Sequence, residues 1–209
     1  GVQFAADGYT ITGDALRLTS GEIIFRVGDG TTSGANFVAT IESALTGSGG
    51  LAKTDLGTLI LLGANSYDGG TRVASGTLQG NATSLQGDIA VEQDGTLLFD
   101  QKGAGEYSSA ISGRGALVKE GAGTLLLSGN SSGYSGQALL SAGGINLTGQ
   151  LGSNLLDSSL TTAAGTVLSA NGTVANLDLG GIIAPGTASG TGTATFNVLG
   201  TATIRAGST

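Results

Sequence analysis

An all-β fold, a parallel β-helix of about 8–10 coils, is what the sequence predicts, and three observations carry it. Residues 51–63, LAKTDLGTLILLG, return 66 positions later as LVKEGAGTLLLSG at 117–129. Between glycines, apolar residues alternate with polar ones at period two, the pattern of a half-buried strand. Glycines also recur at 57, 76, 95, 115, 143, 165 and 186, most of them about 20 residues apart. That spacing suits one coil of a stacked solenoid better than the 8–12-residue beat of a sandwich or barrel.

The elements follow in chain order. Residues 1–40 read as coil of the same kind, opening on the strand-like VQFAA. In 51–63, Leu59 and Leu61 share one phase, which points them inward, and Ile60 points outward. The match continues as NSYDGGTRVASGTL (65–78) against SSGYSGQALLSAGGI (131–145), with a one-residue slip near Tyr67 and Tyr134. Further alternating pairs are Ile89 and Val91, Leu97 and Phe99, Leu125 and Leu127, Ile145 and Leu147, and Phe196 and Val198. Leu126, like Ile60, falls on the outward phase. No segment holds the 3.6-residue helical spacing for three turns, and capping boxes ahead of apolar runs are missing. Hairpin signals are scarce, Asn171-Gly172 being the exception. The organisation expected is one β-helix over 1–209, with repeat copies at 49–101 and 115–170 and C-terminal coils at 171–209.

Composition fits a narrow strand-lined interior. The chain has 209 residues, 40 of them Gly and one Pro, and lacks Cys, His, Met and Trp. Aromatics make up 4%, so the core must come from small and branched aliphatics. Charged residues are 11%, well below the roughly 25% of an average domain. With positive mean hydropathy this argues against disorder. The net charge of −7 is spread without runs, and the eight basic residues stand singly. Nothing provides the clustered basic surface a phosphate backbone requires, so nucleic acid is set aside as a partner. No stretch approaches the ~20 apolar residues of a membrane helix. The uncapped ends suggest a piece of a longer protein. Having no cysteine suits a long β-rich chain that crosses a membrane unfolded, where an early disulfide would block passage.

At this point the residues carry a family resemblance. Leu51, Lys53, Gly57, Thr58, Leu59, Leu61, Gly63, Tyr67, Gly69, Gly70, Thr71, Gly76, Thr77 and Leu78 resemble the passenger-associated transport repeat of bacterial autotransporters. The second copy reads Leu117, Lys119, Gly123, Thr124, Leu125, Leu127, Gly129, Tyr134, Gly136, Gly143 and Ile145. It departs where Gly-Gln-Ala replaces Gly-Gly-Thr and Gly-Gly-Ile replaces Gly-Thr-Leu. The stretch 165–190, with Ala184-Pro185-Gly186, is similar to passenger coils found shortly before the membrane anchor. The resemblance implies a right-handed parallel β-helix, export to the bacterial surface through the protein's own C-terminal outer-membrane barrel, and a place in an adhesin or virulence factor. It implies a structural and transport role for the repeats. The alternatives are an adhesive or self-associating surface, meeting a host cell, matrix or second copy, and the scaffold of a passenger enzyme whose active site lies outside the chain.

Catalytic readings find little. Gly129-Asn130-Ser131-Ser132-Gly133 fits a nucleophile-elbow pattern, but with no His a Ser–His pair cannot form. The fifteen carboxylates hold no fixed register in both copies, and without His or Cys zinc and iron ligation is implausible. No catalytic, cofactor-binding or metal residue is expected, no cofactor and no small-molecule substrate. Lys53 and Lys119 recur at matched positions and are expected at strand flanks, in weak surface pairs with Asp55 and Glu120. Tyr67 and Tyr134 are expected to pack their rings over glycine-rich turns. The Asn-x-Ser/Thr sites at Asn81, Asn130, Asn146 and Asn171 read as turn asparagines rather than glycan acceptors. Residues 28–40 and 100–112 interrupt the period and are read as protruding loops, the places where a specific contact would sit.

Overall fold

The computed structural model describes residues 1–153, 158–185 and 195–209. Ala184 and Pro185, expected in a turn with Gly186, end the strand Ile182–Pro185, and Gly186 lies outside the described residues. Among the described residues the fold is a β-solenoid of about nine turns with almost no helix. It divides into two compact units, Gly1–Leu98 and Phe99–Thr209. Strands are short because a glycine or small polar residue ends nearly every run of alternation, and each pairs in parallel with the strand one coil away.

In the first unit one sheet runs through Val2–Phe4, Glu22–Val27, Gly50–Thr54 and Thr71–Gly80. A second set joins Tyr9–Ile11, Val38–Ile41 and Thr58–Leu61, and a third joins Leu16–Arg17, Leu45–Gly47 and Ser66–Tyr67. The second unit repeats the plan. One sheet runs through Ala116–Glu120, Gln137–Leu140, Ser159–Thr162, Leu177–Leu179 and Ala202–Ile204. A second holds Gly105–Tyr107, Thr124–Leu127, Gly144–Leu147, Val167–Ala170 and Ile182–Pro185, and a third holds Asn130–Ser131, Gln150–Leu151, Thr173–Val174 and Asn197–Val198.

The register stacks like on like. Ala39, Leu59 and Leu78 form one inward column, and Ile41 and Leu61 another. In the second unit Leu125, Ile145 and Leu168 stack, as do Leu127, Leu147 and Ala170. Leu59 and Leu61 are fully buried, Leu125 and Leu127 nearly so, while Ile60 and Leu126 are half-buried on the outer side. The phase read from the sequence is the phase of the fold. The long strand Thr71–Gly80 serves two sheets, with Thr71–Val73 beside Leu51–Lys53 and Thr77–Gln79 beside Thr58–Ile60. The corner between them is Gly76, whose φ of 65° is left-handed. A Cβ there would stand 2.5 Å from the carbonyl oxygens of Asp55 and Gly57, and at Gly143 it would stand 2.5 Å from those of Gly121 and Gly123. Only glycine turns this corner against the coil before it.

The two expected loops fare differently. Ile23 pairs with Leu51 across 28 residues instead of about twenty, and the excess is the segment from Gly28 to Phe37, which carries the 3₁₀ turn Thr32–Asn36. Residues 38–41, by contrast, are a strand within the stack. Residues 100–112 are not a loop. They hold the strands Gly105–Tyr107 and Ile111–Gly113, with Tyr107 and Ile111 buried. Glycines at 103 and 105 disguise the alternation there.

Candidate functional site: buried polar positions shared by the two repeats

Lys53 is 0% and Lys119 1% exposed, so neither makes the surface pair expected of it. Both sit on the inward phase of their strands. Lys53 is in register with Phe25 on one side and Val73 on the other, and Lys119 with Leu140. The four-carbon stem substitutes for a core aliphatic, and the ammonium reaches the corner of the coil. There Lys53 Nζ donates to the carbonyl oxygens of Thr54 (3.0 Å), Asp55 (2.7 Å) and Ser75 (3.0 Å). Lys119 Nζ donates to those of Glu120 (2.7 Å), Gly121 (2.9 Å) and Ala142 (3.0 Å). An ammonium has three protons, and each finds one carbonyl. Burial pushes the Lys53 amine down to about 8, against the opposing charge of Asp55. Burial lowers Lys119 too, opposed by Asp100.

Two further matched positions are buried and polar. Asn65 Oδ1 accepts from Leu45 N (2.7 Å), and its Nδ2 donates to Ser84 O (2.7 Å), so one amide joins three coils. The matched Ser131 Oγ accepts from Ile111 N (2.9 Å). This is the serine of the nucleophile-like pattern. It is 6% exposed and occupied by a backbone amide. Tyr67 and Tyr134 are 2% and 0% exposed, inside the stack rather than over the turns. Tyr67 OH bonds Thr71 Oγ1 at 2.8 Å, and that hydroxyl donates on to Gln86 O. Tyr134 OH lies 2.9 Å from Gly115 O and 2.7 Å from Gln137 O. Burial disfavours the phenolate of both and pushes their pKa up.

The chemistry these groups provide is satisfaction of backbone at coil corners, where the ladders stop and amides and carbonyls would otherwise be stranded. The sequence carried the signal. In L-x-K, read at the period of the following strand, Leu51 and Lys53 share a phase, and so do Leu117 and Lys119. Charge alone had argued for the surface.

Asn81 and Asn130 do cap turns, through Thr83 and Ser84 amides and the Ser132 amide respectively. Asn146 instead stands on the outer face of Gly144–Leu147, and its Oδ1 is buried with no partner among the described residues. It borders a shallow groove of about 530 Å³ lined also by Ala104, Gly105, Glu106, Thr124 and Leu126. In the segment from Gly28 to Phe37, Asp29 accepts from Thr31 N and Oγ1, and Asp55 Oδ2 accepts from Gly30 N and Arg26 Nε. On the outer face Arg72 joins Glu22, two coils behind it, and Glu92, one coil ahead.

Comparison with known proteins bears on the same residues. The passenger-associated-transport-repeat family model matches residues 51–79 and 117–147, the two segments that hold the lysines, tyrosines and corner glycines. The chain is 39% identical over 180 residues to a protein of Brucella suis biovar 1 (strain 1330) described as the adhesin BmaC autotransporter. That match takes in 74% of the chain and spans 5% of the relative's length. No solved structure matches it.

Proposed function

We propose, for a chain that belongs to the β-helical passengers of autotransporters, that it is a structural and transport segment of a cell-surface adhesin. The passenger is exported across the outer membrane, and its residence is the cell surface or the medium. Export through the protein's own C-terminal outer-membrane barrel and contact with a host surface or matrix belong to the whole protein, of which this chain is a short part.

One observation carries the reading. The buried polar side chains at matched positions of the two repeats are turned inward and spent on the backbone of adjoining coils. Groups so used support stacking and are not free on the outside to hold a ligand. The same use of Ser131 supports a chain without catalytic activity of its own.

The test uses the full-length protein on the bacterial surface, with residues 51–79 or 117–147 deleted. The expected result is less protease-accessible passenger at the surface, with adhesion per displayed molecule unchanged. Full display with adhesion lost would overturn the reading in favour of an adhesive surface within the repeats.

A further inference from the structure

We propose that each buried lysine is a forward latch, an ammonium that ties the corner of its own coil to the corner of the next coil toward the C-terminus and cannot close until that coil is in place. Two of the three carbonyls come from residues just after the lysine, and the third comes from 22 or 23 residues ahead. None comes from the coil behind. The latch therefore has a direction, and it has the same direction in both copies.

The geometry explains why the third ligand matters. Before the next coil docks, Lys53 reaches only Thr54 O and Asp55 O, and its remaining proton must point to water. Docking brings Ser75 O to 3.0 Å and buries the whole side chain. The corner glycine that follows the third carbonyl, Gly76 or Gly143, allows this approach. A Cβ there would strike the carbonyl of Asp55 or Gly121, itself a latch ligand. Lysine, left-handed corner and forward carbonyl are one device, present once in each compact unit. A core leucine at position 53 would fill the same column and leave the corners unjoined. The device belongs to the folding of the chain itself and stands whether or not the repeats assist export.

The third lysine is an internal control. Lys102 has a side chain 85% exposed. Pulse acylation of the folded chain, read by peptide mass spectrometry, is expected to label Lys102 at once and Lys53 and Lys119 only as their coils open. Lys53 or Lys119 labelling as fast as Lys102 would overturn the latch.

Direction is tested by amide hydrogen exchange on Lys53→Met and Lys119→Met. These variants keep the stem and remove both the charge and its burial cost, so global stability is not the readout. Ahead of the latches, Thr77 N bonds Gly57 O and Gly144 N bonds Gly123 O. Behind them, Gly57 N bonds Val27 O and Gly123 N bonds Gln101 O. The expected result is at least about a tenfold loss of protection at Thr77 in Lys53→Met and at Gly144 in Lys119→Met, with Gly57 and Gly123 little changed. Equal loss on both sides, or none, would overturn the proposal. Should a methionine variant fail to fold, the acylation pulse on the unmodified chain still tests closure, and Lys53 or Lys119 labelling as fast as Lys102 overturns the latch.

Discussion

Asp55 is the described residue other than glycine with a positive φ, at 66°, and its counterpart in the second repeat is Gly121, at 77°. Both stand at the same corner and both lend a carbonyl to a lysine, yet one keeps a side chain. An L-residue in that region is strained by about 1 kcal/mol or more. Asp55 offsets this with its carboxylate, which accepts from Arg26 Nε, Gly30 N and Leu56 N. Burial acts to raise its pKa, but these hydrogen bonds outweigh it and hold the carboxyl below its ordinary range. Exchanging the two residues therefore has unequal effects. Asp55→Gly should change global stability by less than about 1 kcal/mol while freeing the Gly30 amide to exchange. Gly121→Asp should cost roughly 2–3 kcal/mol, because a Cβ there stands 2.5 Å from Gln101 O and 2.8 Å from the carboxylate of Asp100. Urea denaturation of both variants measures the difference. Register gives a second contrast at this scale. Leu127→Asp buries an unpaired charge and should cost roughly 4 kcal/mol, far more than Leu126→Asp, whose side chain is half-exposed.

The individual strand was legible because two constraints coincide in it. Period two fixes which side chains meet the neighbouring coil, and glycine fixes where the strand ends, so Leu59, Leu61, Leu125 and Leu127 were placed by counting. Corners were not legible in the same way. A corner is satisfied by whichever polar atom happens to reach it, and Asn65 and Ser131 do matched work with different atoms. That difference predicts different costs. Asn65→Ala strands both Leu45 N and Ser84 O, whereas Ser131→Ala strands Ile111 N alone. Losses of about 2–3 and about 1 kcal/mol are expected in chemical denaturation. The lysines were misplaced for a related reason. Charge argues for solvent, and the argument fails when three carbonyls wait at the end of an aliphatic stem. At 100–112 the error was to take glycines for a loop, when Tyr107 and Ile111 still kept the inward phase.

Across the whole molecule, titration follows from which groups burial and hydrogen bonding have moved. Glu22 and Asp55 are held below ordinary carboxylate values, Glu22 chiefly by its hydrogen bond from Arg72. A depressed carboxylate contributes stability above its unfolded pKa, and the contribution is lost as pH falls through the folded one. Tyr67 and Tyr134 are raised from 10.0 by burial, so above that pH the unfolded chain ionises them before the folded chain does, and stability falls. Lys53 has the opposite sign. With a folded value of about 8 against an ordinary 10.5, it is deprotonated first in the folded chain, and its contribution grows between those values. The chain has no His. Melting temperature is therefore expected to be flat from about pH 5 to 7.5, to fall below about pH 4, and to fall again above about pH 11. Calorimetry checks the profile. Tyrosinate absorbance at alkaline pH should show Tyr67 and Tyr134 ionising only as the chain unfolds, and a melting transition near pH 6 would contradict the assignment.

The parallel ladders of the second unit have a mechanical consequence. Their backbone bonds point from one coil to the next, as from Thr148 N to Leu127 O and from Thr173 N to Gly149 O. A force applied along that direction loads one coil's bonds at a time, so rupture proceeds as peeling and not as the simultaneous shear of a sheet pulled along its strands. Register partners in this unit stand from 15 residues apart, Val167 and Ile182, to 25, Leu177 and Ala202, so each coil peeled away releases roughly 50–85 Å of slack chain. Pulled in an optical trap, the unit should extend in steps of that size at low force, giving way gradually under flow where a sheared sheet would hold and then break at once.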